Sequence, residues 1–345
     1  MQDYLVLFFV ANNVILYYNI TMPKFYFITH DNTDAYFNLA SEEYLLKQTD
    51  NFYIYLWVND RAVVVGTNQN AIEEVNLAYT EQAGVKVVRR LTGGGTVYHD
   101  KGNICYTVIA PYNQNEEHYK KFTAPIIEYL NSLGVNAKFS GRNDITIDDK
   151  KISGNAQTVY KDRIMHHGTI LFNTDSSELA KCLNPSKLKM LSKGIKSVRA
   201  RVTNVIDHLE RKMSVEEFKK GLAQEFEKTC TPYEFSEKDI SAINKLIEEK
   251  YSKYEWNIGR SPIGTNTFTE KFDFGIFTLT FSTKNGTISD AMIFGDFFEK
   301  KPIAGFCQLL NGIKFTKADF LLAFESIGEF ISGASAKEIV DKIFE

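Results

Sequence analysis

Residues 89–100 read RRLTGGGTVYHD: two arginines, three consecutive glycines, then a tyrosine, a histidine and an aspartate. Three glycines together are entropically costly unless something requires bare backbone. One reading is a hairpin turn, because Gly-Gly between two apolar runs, VKVVRR and ICYTVIAP, is a turn signal. The other is a loop whose amides approach an anion, with Arg90 supplying charge. Three more segments carry chemistry-bearing side chains. GRNDITIDDKKISGNAQ (141–157) sets Asn143 and Asp144 at the entry to a strand and Lys151 after a short acidic hairpin. Alone, such a lysine is an ordinary edge-strand cation that discourages strand addition. MHHGTILFN (165–173) sets two histidines side by side, and strand neighbours face opposite ways, so both cannot ligate one ion. With no HxH or HExxH nearby, this argues against zinc and leaves His167 facing either a pocket or the core. Finally, KCLNPSKLKMLSKGIKSVRAR (181–201) holds seven basic residues and no acidic one. A solvated face is the default for such a run. An electropositive lid over a phosphate-bearing ligand, or a dock for an acidic partner, is the functional alternative.

The elements that must position these residues alternate along the chain. KFYFIT, FYIYLWV and RAVVVG read as strands, and DAYFNLASEEYLLKQ between the first two has a helical apolar face at Phe37, Ala40, Tyr44 and Leu45. VKVVRR and ICYTVIAP flank the glycines, and HYKKFTAPIIEYLNSLG reads as a helix ending at Gly134. NAKFS, DITIDDKKISG, AQTVYK and MHHGTILFN add four short strands. SVEEFKKGLAQEFEK and SEKDISAINKLIEEKY are charged amphipathic helices. EWNIGRSPIGTN reads as a linker, and FDFGIFTLTFSTKNGTISDAMIF beyond it as a hairpin turning at Lys-Asn-Gly-Thr. The expected fold class is therefore α+β: an extension at 1–21, a large domain at 22–255 and a small α/β domain at 256–345.

Composition removes several classes of function. With 345 residues, 44% hydrophobic and 13% aromatic, the chain has material for a real core. A net charge of −3 gives none of the global basic character that drives nucleic-acid binding, so no nucleic-acid partner is expected. Cys105, Cys182, Cys230 and Cys307 lie far apart without CxxC spacing, which suits a reducing cytoplasm rather than a disulfide framework. The opening MQDYLVLFFVANNVILYYNIT is apolar, but it lacks a basic start and is interrupted at Ala11-Asn12-Asn13. It therefore fits neither a signal peptide nor a membrane span, and no membrane partner is expected. It reads as an extension or an upstream start before Met22.

Taken in order, RRLTGGGTVYHD, GRNDI, KISG, HHGTILFN and LNPSKLKMLSKGIKSVRARVTN resemble lipoate–protein ligase A. The segment introduced by EWN resembles the accessory domain of its two-domain bacterial members. The resemblance runs from about Phe25 to the C-terminus. It implies a catalytic domain with the biotin/lipoate ligase fold and a smaller C-terminal accessory domain. It also implies ATP-dependent attachment of lipoic acid to a lysine of carrier domains, namely the E2 subunits of 2-oxoacid dehydrogenases and the glycine cleavage H protein. The carboxylate of lipoate attacks the α-phosphorus of ATP and pyrophosphate leaves; the acceptor amine then attacks the mixed anhydride and AMP leaves. A carboxylate meeting a polyanion needs positive charge and amide donors between the two.

On this resemblance ATP is held by Arg90, Gly95, Thr96, Val97, Tyr98 and Lys151, largely through main chain. Lipoate is held by Leu39, Trp57, Arg90, Thr92, His99, Lys151 and His167. Lys151 is the catalytic residue, contacting acyl carbonyl and phosphate, and Asp144 lies near Mg2+. The basic run 183–201 corresponds to an adenylate-binding loop that closes over the intermediate and excludes water, and it is expected to be mobile without ligand. Thr92 replaces a frequent serine, and Thr158 stands where some members carry an arginine. The runner-up reading is an ATP-independent octanoyl or lipoyl transferase of the same fold, for which Cys182 beside Lys181 offers a candidate thiol. A biotin ligase is disfavoured by the absence of a GRGRxG loop, and a non-catalytic sensor by the retention of Arg90 and Lys151.

Overall fold

The computed structural model describes residues 4–10, 14–20, 23–48, 51–184, 202–259, 266–284 and 287–344. Residues 4–20 contain strands β1 (Tyr4–Val10) and β2 (Val14–Ile20), paired antiparallel with Tyr4 opposite Ile20. The extension is thus more than an irregular lead-in. No helix among the described residues is long and apolar enough to cross a membrane.

Strands β3 (Phe25–Thr29) and β4 (Phe52–Val58) run parallel, as a strand–helix–strand crossover requires. The crossover helix is α1 (Ala35–Leu46), whose first turn is capped by the Asp34 carboxylate accepting from the Tyr36 and Phe37 amides. Strands β5 (Ala62–Val65), β6 (Lys86–Arg89) and β7 (Val97–His99) form a separate three-stranded sheet with β5 in the middle. Strands β8 (Asn103–Pro111), β9 (Ala137–Ser140), β10 (Asp144–Ile147), β11 (Lys150–Tyr160), β12 (Arg163–Leu171) and β13 (Thr231–Pro232) follow. With β3 and β4 they make an eight-stranded sheet in the order β13-β3-β4-β8-β12-β11-β10-β9.

Alternation along the strands divides the core in two. Leu56, Ile104, Tyr106 and Ile170 pack with helices α2 (His118–Ser132) and α3 (Val215–Glu227) on one face. Tyr55, Trp57, Cys105, Ile109 and Met165 pack with α1 and α4 (Glu237–Leu246) on the other. The C-terminal part has its own core around strands β14 (Asn266–Phe272), β15 (Gly275–Lys284) and β16 (Thr287–Gly295). The expected hairpin is the β15–β16 pair, whose central turn residues lie outside the described set. Strand β14, paired antiparallel with β15, was not expected from the sequence.

Two local expectations are corrected. KISG and AQTVYK are one eleven-residue strand, because Gly154 extends the ladder instead of breaking it. The preceding Asp148-Asp149 pair makes the turn, with φ of 48° and 62°, and both signs positive is what a two-residue hairpin loop of matching twist needs. The glycine stretch is not a hairpin. Strands β6 and β7 each pair with β5 and not with one another, so the loop crosses the end of β5.

Candidate active site

Both arginines of RRLTGGG are buried and turned toward the protein's own carbonyls. Arg89 donates to the carbonyls of Gly66, Gln69, Trp256 and Asn257. Arg90 donates from Nη2 to the Gly93 and Gly95 carbonyls (2.7 and 2.9 Å), from Nη1 to Val64 (3.0 Å) and from Nε to the Thr92 hydroxyl (3.0 Å). Burial brings its pKa down to about 10. The free phosphate-facing guanidinium expected from the sequence is therefore, in this structure, a brace that fixes the loop's curvature. The glycines are needed for the same shape. Gly94 has φ of +92°, and a Cβ on Gly93 would lie 2.6 Å from the Phe297 carbonyl oxygen of the C-terminal part. Around Gly95 there is open space: a Cβ there would meet nothing within 4 Å.

Thr92 starts a buried chain that links the loop to the neighbouring sheet face. Its hydroxyl lies 2.7 Å from His167 Nε2, and His167 Nδ1 lies 2.9 Å from the Glu42 carboxylate. Glu42 accepts from the Thr107 hydroxyl, which in turn accepts from Trp57 Nε1 at 3.0 Å. The adjacent His166 is on the opposite face among Tyr106, Tyr119 and Phe122, as strand alternation requires. Leu39 precedes Glu42 by one turn on α1 and packs in the same core as Trp57. The His99 ring lies 6.1 Å from that of Trp57, tilted 55° to it, with Nδ1 near Asn59 and the Cys105 sulfur. Val97 is half-buried, while the Tyr98 side chain packs with Val63 and Val65, away from the loop, leaving only its main chain for a ligand.

Lys151 reaches this same face through an irregularity. The register of β10 against β11 slips between Ile145 and Thr146, so Ile145 faces Ser153 while Thr146 faces Lys151. The extra residue, Ile152, joins the α2-side core. Regular alternation would set residues 151 and 154 on opposite faces; the bulge sets them on one. Lys151 Nζ accordingly pairs with Asp144 Oδ1 at 2.8 Å, and its Cε and Nζ lie across Gly154, 2.9 Å from where a Cβ would be. Strand registers carry that face from Asp144 and Gly154 through Ala156, opposite His167, to Thr107. No hydrogen bond or ion pair links the Lys151–Asp144 pair to the glycine loop among the described residues.

Of the basic run, residues 185–201 lie outside the described set. Lys181 is described, and it is not without a counter-charge: Glu178, three residues earlier, holds it at 2.7 Å. Glu42, Gln69, Arg89 and Thr107 were missed by sequence reasoning. Only Glu42 left a signal, a carboxylate three residues after Leu39 and four before Leu46.

Burial depresses the His99 pKa from 6.5 to about 3, with the Arg90 and His167 charges adding to it. A folded-state pKa below the unfolded one means that the unfolded chain takes up the proton first. Stability present above the unfolded value is then lost as pH falls from about 6.5 toward 3. His99 alone is expected to cost about 2 kcal/mol between pH 7 and pH 5. Thermal melts across that window should show a falling Tm, and His99→Gln should flatten the slope. An unchanged slope in that variant would exclude His99 as a source.

Residues 34–227 match the family described as the lipoyl protein ligase A/B catalytic domain, and residues 261–343 match the bacterial lipoate protein ligase C-terminus. The chain is 38% identical over 329 residues to a lipoate–protein ligase of Bacillus subtilis (strain 168), covering 92% of this chain and 99% of that one. It is 41% identical over 310 residues to lipoate–protein ligase 1 of Staphylococcus aureus (strain Mu50), covering 88% and 94%. Among solved structures it is similar to P. falciparum LipL1 in complex with lipoate, with a TM-score of 0.74, 30% identity and coverage of 93% and 98%. It is also similar to a lipoate–protein ligase A bound with ATP, with a TM-score of 0.59, 27% identity and coverage of 69% and 99%. The catalytic-domain match alone spans more than half of these residues, and the chain belongs to the lipoate–protein ligase family.

Proposed function

We propose that this chain is an ATP-dependent lipoate–protein ligase of the cytoplasm. It activates lipoate as lipoyl-AMP and transfers the lipoyl group to a specific lysine of E2 lipoyl domains and of the glycine cleavage H protein. The observation that carries the reading is the strand bulge that sets Lys151 and Asp144 on the sheet face shared by Trp57, Thr107 and His167, the face that the glycine loop braced by Arg90 meets where Thr92 reaches His167. A solved archaeal bipartite ligase, 29% identical, is described with its E2 lipoyl domain, which supports an E2 domain as one acceptor.

In this reading Leu39, Trp57, His99 and His167 line the slot for the apolar tail, with Thr92 and Arg90 at its polar end. Gly95, Thr96, Val97 and Tyr98 meet the nucleotide through main chain, and Arg90 acts by holding the loop in the shape that exposes those amides. Lys151 supplies a point cation to the carboxylate and the α-phosphate. As the lipoate oxygen bonds to phosphorus, the bond to pyrophosphate breaks. In the second step the acceptor amine bonds to the acyl carbon, gives up a proton, and the bond to AMP breaks. Lys151 then steadies the negative charge on the carbonyl oxygen. Among the described residues no group of three His, Cys, Asp or Glu side chains is arranged to hold a metal. Magnesium fits here as an ion carried in by the nucleotide phosphates, with Asp144 as one oxygen ligand.

The thiol-based transferase reading is disfavoured by the cysteines. Cys105, Cys182, Cys230 and Cys307 are all buried, and burial pushes each thiol above its ordinary range. Lys181, the neighbour expected to activate Cys182, is engaged by Glu178. The test is pyrophosphate release from lipoate and MgATP, with and without an apo carrier domain, together with the mass gained by that domain. Lipoylation that requires ATP is expected. Transfer from an octanoyl carrier without ATP would replace the ligase by the transferase.

A further inference from the structure

Gln69 is 2% exposed. Its side-chain oxygen accepts from the Gly66 amide at 3.0 Å and from the Thr96 hydroxyl at 2.7 Å. Its backbone is fixed as well: the amide donates to the Gly66 carbonyl, and the carbonyl accepts from Arg89 Nη1 at 2.6 Å. The side-chain nitrogen is buried and has no partner. The orientation of the amide follows from its neighbours. The Gly66 N–H can only donate, so exchanging oxygen and nitrogen would set two donors against each other. A buried NH2 group without an acceptor is destabilising, so one beside a ligand-binding loop calls for a partner. The span of a planar amide puts this nitrogen within about 5 Å of the Thr96 hydroxyl, at the end of the glycine loop.

We propose that the Gln69 side-chain NH2 is a nucleotide-phosphate ligand: it donates to an anionic oxygen of ATP and then of the adenylate, while its oxygen holds Gly66 and Thr96 in place. The inference rests on the ligase reading and adds to it a side-chain donor at the loop, where the nucleotide was expected to be held largely through main chain. Gln69 thereby couples loop shape to nucleotide occupancy. When the phosphate is present, every polar group of the side chain is satisfied.

Gln69→Glu keeps an acceptor for Gly66 and Thr96 and removes the donor. A lost hydrogen bond to a charged oxygen should raise KM for ATP by about 10- to 100-fold. KM for lipoate should stay near the wild-type value, because the defect is confined to the nucleotide. Equal rises in both constants, or an unchanged KM for ATP, would overturn the proposal. Should the variant fail to fold, 15N-glutamine-labelled wild-type protein titrated with ATP supplies the answer. One side-chain NH2 pair should shift and gain protection from solvent exchange; if none does, water satisfies the amide and the proposal fails. A wild-type protein that binds ATP in this way but lipoylates nothing would instead count against the ligase reading alone.

Discussion

Lys151→Ala is expected to lower lipoylation about 10²- to 10³-fold, the usual loss when one preorganised donor to a developing oxyanion is removed. The fold should survive. The Lys151 side chain is 38% exposed and its partner Asp144 33% exposed, and ion pairs that share space with solvent contribute about 0–1 kcal/mol. Melting curves of variant and parent should therefore overlay within a degree or two while turnover falls. Lys151→Arg should not restore activity, because a planar guanidinium is bulkier than the ammonium that now lies across Gly154. Resolving the two half-reactions sharpens the result. Adenylate formation, read as pyrophosphate release, and transfer from synthetic lipoyl-AMP to an apo carrier should both slow, since the same cation serves both. Near-normal turnover in Lys151→Ala would remove this lysine from the chemistry.

Much of this arrangement was legible before the structure, and the parts that were not share a cause. Period-two alternation predicted that His166 and His167 face opposite ways, and they do, one among aromatic rings and the other on Glu42. The same rule fails for Lys151. Counting by twos from Gly154 sets it on the wrong face, and only the bulge at Ile152 corrects the count. A bulge is decided by what the neighbouring strand needs, which a single segment does not display. The glycine stretch misled for a related reason. Gly-Gly between two apolar runs is a local hairpin signal, but the first run, β6, pairs with β5, more than twenty residues earlier, and the second, β8, pairs with β4 and β12 in the other sheet. Arg90 looked like free charge because sequence shows a charge and not the carbonyls gathered around it. What resemblance added was the role expected of Lys151 and Asp144. What it did not supply was the internal bracing by Arg90, Thr92 and Gln69 that gives the loop its shape.

Gly66→Ala is the sharpest test of that bracing. A Cβ at residue 66 would lie 2.1 Å from the Gly94 carbonyl oxygen and 3.2 Å from Arg90 Nη2. The first contact is with backbone, which no rotamer change can relieve. Gly94 can yield only by carrying its neighbours with it, and the Gly93 and Gly95 carbonyls are both held by Arg90 Nη2. The added methyl therefore displaces the loop as a unit or tears it from its guanidinium. Overpacking of this kind costs about 1–3 kcal/mol, so the variant should fold with a lowered Tm. Activity should suffer more, because misplacing positioned groups by ~1 Å can cost about 10²-fold in rate. Gly95→Ala is the matched control for stability: its Cβ meets nothing within 4 Å, and its Tm should equal that of the parent. Were Gly66→Ala to keep parental turnover and melting, the loop would be pliable rather than braced. The hydrogen bonds from Arg90 would then follow the loop's shape instead of setting it.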